Sequence, residues 1–224
     1  MYLAKEKNLA WSTCNVIVSS IRFFYKVILK KSHENFYLPY AKKPHTLPDI
    51  LTRHEIKTLL NVTKNPKHHA IFMTVYGAGL RVSEVAQLTI DDIDSHAHVI
   101  CVQQGKGKKD RYVPLSARLL GELRAYWKYD KPLYWLFPGN NIKQPITRHG
   151  IQDAFKKAKI KAHITKRVSI HSLRHCFATH LLESGMDIVH IKQLLGHRSL
   201  STTSRYTQLS RQMIGNMASP LDNW

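Results

Sequence analysis

Ile170-His171-Ser172-Leu173-Arg174-His175, followed by Leu195-Gly196-His197 and then Ser204-Arg205-Tyr206, is the stretch on which the reading of this chain turns. Positions three apart are neighbours on a helix surface, so a helix here places His171 and Arg174 on one face. Gly196 predicts the end of the next helix, which leaves His197 at a turn and not on a packed face. Nine residues further on, Tyr206 supplies a phenol that becomes a nucleophile once its proton is taken. Two imidazoles, a guanidinium and a phenol suit chemistry on a phosphate ester. Nothing in the stretch suits a metal or a nucleotide.

Two further motifs lie upstream. Gly77-Ala78-Gly79-Leu80-Arg81-Val82-Ser83-Glu84 sets an arginine just after a glycine break, at a predicted helix start. Gly105-Lys106-Gly107-Lys108-Lys109-Asp110-Arg111 is a tight basic turn between two strand-like runs, Val99 to Gln103 and Arg111 to Leu115, and reads as a β-hairpin. Its glycines let the backbone approach a ligand without a Cβ clash.

The remaining elements are mostly helical. Residues 12 to about 30 carry Ile17, Ile21, Phe24 and Ile28 at helical intervals, with Arg22, Lys26, Lys30 and Lys31 among or beside them. Pro39, Pro44 and Pro48 mark an extended linker, which sets a domain boundary near residues 44 to 50. Thr52-Arg53-His54-Glu55 is a capping box opening a helix through Leu60. His69 to Tyr76 is apolar and predicted buried, and Val82, Val85 and Leu88 give a short helix that carries Arg81 and Glu84 near its start. Ser116 caps a helix with Leu119, Leu120, Leu123 and Trp127 on one side, and another runs from about Thr147 to Lys159. The last three helices span about Ser172 to Glu183, Asp187 to Leu195, and Ser201 to Leu209.

Composition limits the partners. Lys and Arg outnumber Asp and Glu by 34 to 15 in 224 residues, a formal charge of +19. Such an excess implies a polyanionic partner, because each neutralised phosphate releases condensed counterions. A hydrophobic content of 43% is enough to bury a core. Cys14, Cys101 and Cys176 show no paired spacing and predict reduced thiols in a cytosolic protein. No apolar run approaches the roughly 18 residues of a membrane span, and the N-terminus lacks a signal-peptide pattern. The expectation is a soluble, intracellular protein with no membrane partner.

These motifs resemble the tyrosine recombinase (phage integrase) family, closest to its Xer-type and integron-type members. Arg81, Lys106, His171, Arg174, His197 and Tyr206 match the family's six catalytic positions in type, order and approximate spacing, and the resemblance covers roughly residues 10 to 224. It implies a mainly α fold with a small antiparallel β-sheet. On that reading residues 47–224 form a tyrosine recombinase catalytic domain, and residues 1–46 are a partial helical core-binding (SAM-like) DNA-binding domain with its linker. Only the part resembling that domain's last helix or two, Ser12 to Leu29, is present. The family clamps double-stranded DNA between its two domains and works as a homo-tetramer on two DNA sites. A cytoplasmic, nucleoid-associated location follows from the same resemblance.

The resemblance also distributes roles. Arg81 and Arg174 would stabilise the charge that a phosphodiester gains in its pentacoordinate transition state, since guanidinium forks donate paired hydrogen bonds and stay charged. Tyr206 would attack to form a 3′-phosphotyrosyl link, with His171 or a neighbour in the base position accepting its proton. His197 would donate a hydrogen bond to a phosphate oxygen. Lys106 would protonate the departing 5′-oxygen, with Lys108 and Lys109 as substitutes or phosphate contacts. Glu84 either braces a catalytic group or is a first-turn helix charge. The covalent link conserves bond energy, so no cofactor, ATP or metal is called for.

Other clusters and readings remain. Arg148, Lys156, Lys157, Lys166 and Arg167, with His149, Lys159 and Lys161 beside them, are candidate DNA contacts that position without reading bases. His171, His175, His180 and Cys176 cluster in sequence, but a helix sets His175 and Cys176 on different faces, and no second ligand pair has zinc-finger spacing. Leu209, Met213 and Met217 form a narrow apolar stripe in the tail, which in the family docks into a neighbouring subunit. A catalytically idle DNA-binding remnant and a type IB topoisomerase-like enzyme stay open as alternatives. The Gly-Leu-Arg-Val-Ser-Glu and Leu-Gly-His motifs favour the recombinase.

Overall fold

The computed structural model describes residues 6, 9–30, 38–40, 49–103 and 110–196. The chain divides into two units, Met1–Thr46 and Leu47–Trp224. In the first, α1 (Trp11–Phe23) runs into one π-helical turn, Phe24–Ile28, closed by Leu29 N donating to Phe24 O at 3.1 Å. Arg22 donates to Leu38 O at 2.7 Å, and its guanidinium lies 4.4 Å over the Tyr40 ring. That cation braces its own unit.

The second unit is built around one helix that is buried nearly all round. Asn65 caps α3 (Pro66–Ala78) by accepting from His68 N at 3.0 Å, and Pro66 sits where its missing N–H costs nothing. Ala70, Ile71, Phe72, Met73, Thr74, Val75 and Ala78 are all buried, the pattern of a central helix with no solvent stripe. The one hydroxyl among them, Thr74, is satisfied by Ala70 O at 2.7 Å. Around α3 pack α2 (Arg53–Val62), the short α4 (Val82–Ala86), α5 (Ala117–Asp130), α6 (Arg148–Lys161) and α7 (Ile170–Glu183). The predicted capping box opens α2: Thr52 Oγ1 accepts from Glu55 N at 3.2 Å and Glu55 Oε2 from Thr52 N at 2.7 Å. A smaller cluster of Phe177, Ala178, Leu182, Ile191 and Leu195 joins α7 to α8 (Ile188–Leu195).

The sheet is antiparallel in the order β1-β2-β3, with β1 at Ile93–Asp94, β2 at Val99–Val102 and β3 at Arg111–Pro114. The predicted hairpin is the β2–β3 pair, and Ile100 lies opposite Val113 and Val102 opposite Arg111. Ile100, Val102 and Val113 point into the core. The two-residue β1 adds an edge that the sequence pattern did not mark.

One predicted face is corrected. In α5 the side that buries Leu119, Leu120 and Leu123 is completed by Tyr126, while Trp127 is 47% exposed. Tyr126 fits because its ring packs 5.4 Å from Phe137 and its hydroxyl reaches Asp130 at 2.8 Å.

Candidate active site

The site is assembled at the end of α3. Gly79 ends that helix in the left-handed conformation at φ 65°, which a side chain disfavours. A Cβ there would also stand 2.4 Å from the Phe177 ring. The chain therefore turns tightly and delivers Arg81 to the N-cap of α4, with Glu84 one turn on.

Glu84 is the hub. It accepts from Arg81 Nη1 at 2.7 Å and from Arg81 N at 2.7 Å, and from Arg111 Nη1 and Nη2 at 3.0 and 2.8 Å. Arg174 Nη1 lies 3.7 Å away. Burial pushes this carboxyl up, but the hydrogen bonds from Arg111 and from the Arg81 backbone, then the Arg111 charge and the Arg81 side-chain hydrogen bond, outweigh it and hold the group at about 2. Three guanidiniums around one carboxylate leave two positive charges unmatched among these four side chains.

The other anchor is the C-terminus of α8, the negative end of a helix dipole. Three successive carbonyls there accept from the three arginines: Leu194 O from Arg111 Nε at 3.0 Å, Leu195 O from Arg174 Nη2 at 2.5 Å, and Gly196 O from Arg81 Nη2 at 3.5 Å. Arg174 also donates to Gly79 O at 2.6 Å. With 1% of its side chain exposed, Arg174 is a buried charge, tolerated because carbonyls and a carboxylate surround it. Gly196 closes α8 at φ 61°, as the sequence predicts.

His171 and Arg174 share the first turns of α7. Partial withdrawal from water, then the Arg174 and Arg81 charges, lower the His171 pKa, against a smaller opposing pull from Glu84. The shift favours the neutral imidazole, the form able to accept a proton. The His175 ring lies edge-on to it at 4.7 Å. The rest of the His/Cys cluster serves the core. Cys176 Sγ accepts from Leu51 N at 3.3 Å, and burial pushes the thiol up to about 11. His180 Nδ1 meets the Tyr76 hydroxyl at 2.9 Å, and burial with the nearby Arg53 pushes it down to about 4. Among the described residues, no three His, Cys, Asp or Glu side chains are grouped to hold a metal ion.

Of the six residues matched to catalytic positions, the structure brings together Arg81, His171 and Arg174, with Glu84 beside them. Lys106, His197 and Tyr206 lie outside the described residues, as do Lys108, Lys109 and the predicted helix from Ser201 to Leu209. Arg111, which the sequence places where the basic turn ends and a strand begins, is a participant that no sequence motif singled out. Its signal was its place at the base of the hairpin. An open cleft of about 520 Å³ beside Arg81 is lined by Arg81, Ser83, Glu84, Gln87, Gln103 and Trp135 among others.

The basic residues outside the cluster divide by placement. Arg148, Lys156, Lys157 and Arg167 are exposed. On α6 the opposite side, Ile151, Ala154, Phe155 and Ala158, is buried. Lys166 is engaged internally, donating to Glu55 Oε2 at 2.6 Å and Ile50 O at 3.0 Å. The residue read as a DNA contact thus also has partners within the fold.

A helical domain with a small antiparallel sheet of this kind has known counterparts. The profile of the phage integrase family matches residues 49–213. A Sinorhizobium fredii protein that carries an integrase/recombinase name is 46% identical over 223 residues, covering 99% of this chain and 72% of its own length. The tyrosine recombinase XerA of Pyrococcus horikoshii is 36% identical over 214 residues, covering 93% of this chain and 74% of the relative. The crystal structure of a XerA recombinase superimposes with a TM-score of 0.70 at 31% identity, over 96% of this chain and 78% of that one. Fold and site thus define the class of tyrosine recombinases. The chain belongs to the phage integrase family and is a site-specific recombinase. No helix among the described residues is long and apolar enough to cross a membrane.

Proposed function

We propose that this enzyme cleaves and rejoins double-stranded DNA through a 3′-phosphotyrosyl intermediate formed by Tyr206. The Tyr206 oxygen attacks the scissile phosphorus as its proton passes to His171. Arg81 and Arg174 hold the non-bridging oxygens, and His197 donates a further hydrogen bond. The bond to the 5′-oxygen breaks as Lys106 gives that oxygen a proton. Attack by a 5′-hydroxyl of the partner strand, its proton passing to Lys106 while His171 returns one to the departing phenol oxygen, then restores the diester, so bond energy is kept throughout. One observation carries the reading: a single carboxylate gathers three guanidiniums and leaves them net positive, in a field that lowers the pKa of the His171 imidazole. Such a site is charged for an anion and holds a proton acceptor at once.

The exposed basic residues Arg148, Lys156, Lys157 and Arg167 supply phosphate contacts, joined by Lys108 and Lys109 near the hairpin turn. Residues 1–46 act as a partial core-binding domain with its linker. Exchange takes place in a homo-tetramer on two DNA sites, in the cytoplasm with the nucleoid.

The test is a set of nicked suicide duplexes cut from the DNA flanking the gene. A covalent protein–DNA adduct on a denaturing gel, lost in Tyr206→Phe, is the expected result. Tight binding with no adduct refutes catalysis and favours an idle DNA-binding protein.

A further inference from the structure

Arg111 lies outside the six positions that the family resemblance supplies, and yet three segments of the site meet on it. It pairs with Val102 across β2 and β3, at the base of the hairpin whose turn carries Lys106. From there its side chain, 13% exposed, reaches two elements remote in sequence. Both Nη atoms form a fork on the Glu84 carboxylate, 27 residues away, at 3.0 and 2.8 Å. Nε donates to Leu194 O, 83 residues away, at 3.0 Å. The packing is close: a Cβ on Gly196 would stand 3.2 Å from Arg111 Cδ. A guanidinium is planar, so three donors engaged at once fix the directions of both partners and not merely their separation.

We propose that Arg111 is a positioning residue for strand cleavage, holding the base of the β2–β3 hairpin, the Arg81–Glu84 pair and the C-terminal end of α8 in one frame. The proposal rests on the phosphotyrosyl reading given above. An exposed ion pair contributes little, but this one is largely withdrawn from water, so a loosened partner is not simply taken over by solvent. Misplacement on the scale of an ångström is enough to cost on the order of 10²-fold in rate. Arg111 also has a chemical signature. Burial raises the affinity of Glu84 for a proton, and the Arg111 hydrogen bond is the largest influence opposing it. Without Arg111, Glu84 takes up a proton at a higher pH than in wild type, which loosens its grip on Arg81.

The experiment uses the full chain as wild type, Arg111→Met and Arg111→Lys. Each is given the same suicide duplex, with adduct formation followed from about pH 5 to 8 and non-covalent binding measured separately. Arg111→Met is expected to bind the duplex like wild type but to cleave on the order of 10²-fold more slowly. Its rate should fall toward acid beyond the limb that protonation of His171 gives the wild type. Arg111→Lys keeps the charge without the fork and recovers only part of the rate. Wild-type rate and pH profile in Arg111→Met overturn the proposal. If that variant loses its cooperative melting transition, Arg111→Lys decides alone, and wild-type behaviour in it overturns the proposal equally. A wild type that forms no adduct fells the phosphotyrosyl reading and this inference together, whereas an active wild type with unaffected variants fells the inference alone.

Discussion

Gly79→Ala tests the turn that delivers both Arg81 and the Gly79 carbonyl to the site. Two independent costs follow from the geometry. The position has φ 65°, where an L side chain costs about 1–2 kcal/mol. The added methyl would lie 2.4 Å from Phe177 Cδ1 and 2.5 Å from Cε1, about 1 Å inside ordinary contact, and overpacking of that kind costs about 1–3 kcal/mol. Phe177 is 6% exposed and wedged in the α7–α8 cluster, so the ring has little room to retreat. Together the penalty is about 2–5 kcal/mol, a fall in Tm of about 5–15 °C for a domain of this size. The assay is equilibrium denaturation of wild type, Gly79→Ala, Phe177→Leu and the double variant. Removing the ring should return the packing share, about 1–3 kcal/mol, as a coupling energy, and leave the backbone share in place. A Gly79→Ala penalty below about 1 kcal/mol, or strict additivity in the cycle, refutes the reasoning.

Other outcomes follow from the same contacts. Glu84→Gln strips three guanidiniums of their shared carboxylate and should destabilise by about 3 kcal/mol, read as a lower denaturant midpoint. Because the folded Glu84 carboxyl sits near 2 against an ordinary 4.5, its stabilisation is complete above about pH 4.5 and is lost as pH falls toward 2; a pH titration of wild-type stability against Glu84→Gln checks this. His180, held down to about 4 from 6.5, is a base whose unfolded form takes up protons first. Stability should therefore fall from about pH 6.5 to 4, and His180→Gln should flatten that window. Removing Lys156 or Lys157 should each lower the salt slope of DNA binding by about 1. Lys166→Met should leave that slope unchanged, and its double-mutant cycle with Glu55→Gln should give a coupling below about 1 kcal/mol for a partly exposed pair.

What the sequence made legible was local. Thr52 and Glu55, Gly196, and the glycine–lysine turn between alternating runs each encode their structure within a few residues, so the caps, the helix end and the hairpin stand where expected. Spacing alone failed where two neighbours satisfied one periodicity: Tyr126 and Trp127 both follow Leu123 at helical intervals, and only the position of Phe137 selects Tyr126. A two-residue strand such as Ile93–Asp94 has too short a pattern to register. Arg174 was recognisable as a phosphate-binding type of side chain, but its burial against Gly79 O and Leu195 O depends on segments 95 and 21 residues away. Arg111 and Lys166 escaped for the same reason, since their partners Glu84 and Glu55 become neighbours only once the chain has closed.

The thiol on α7 gives the enzyme a built-in clock. Cys176 is fully enclosed, takes a hydrogen bond from Leu51, and has little thiolate at neutral pH. Alkylating reagents therefore reach it only when that helix lifts from the segment before α2, and the labelling rate counts those openings. Arg174 lies two positions earlier on the same helix, so a bound polyanion that tightens the arginines should lengthen the interval between ticks.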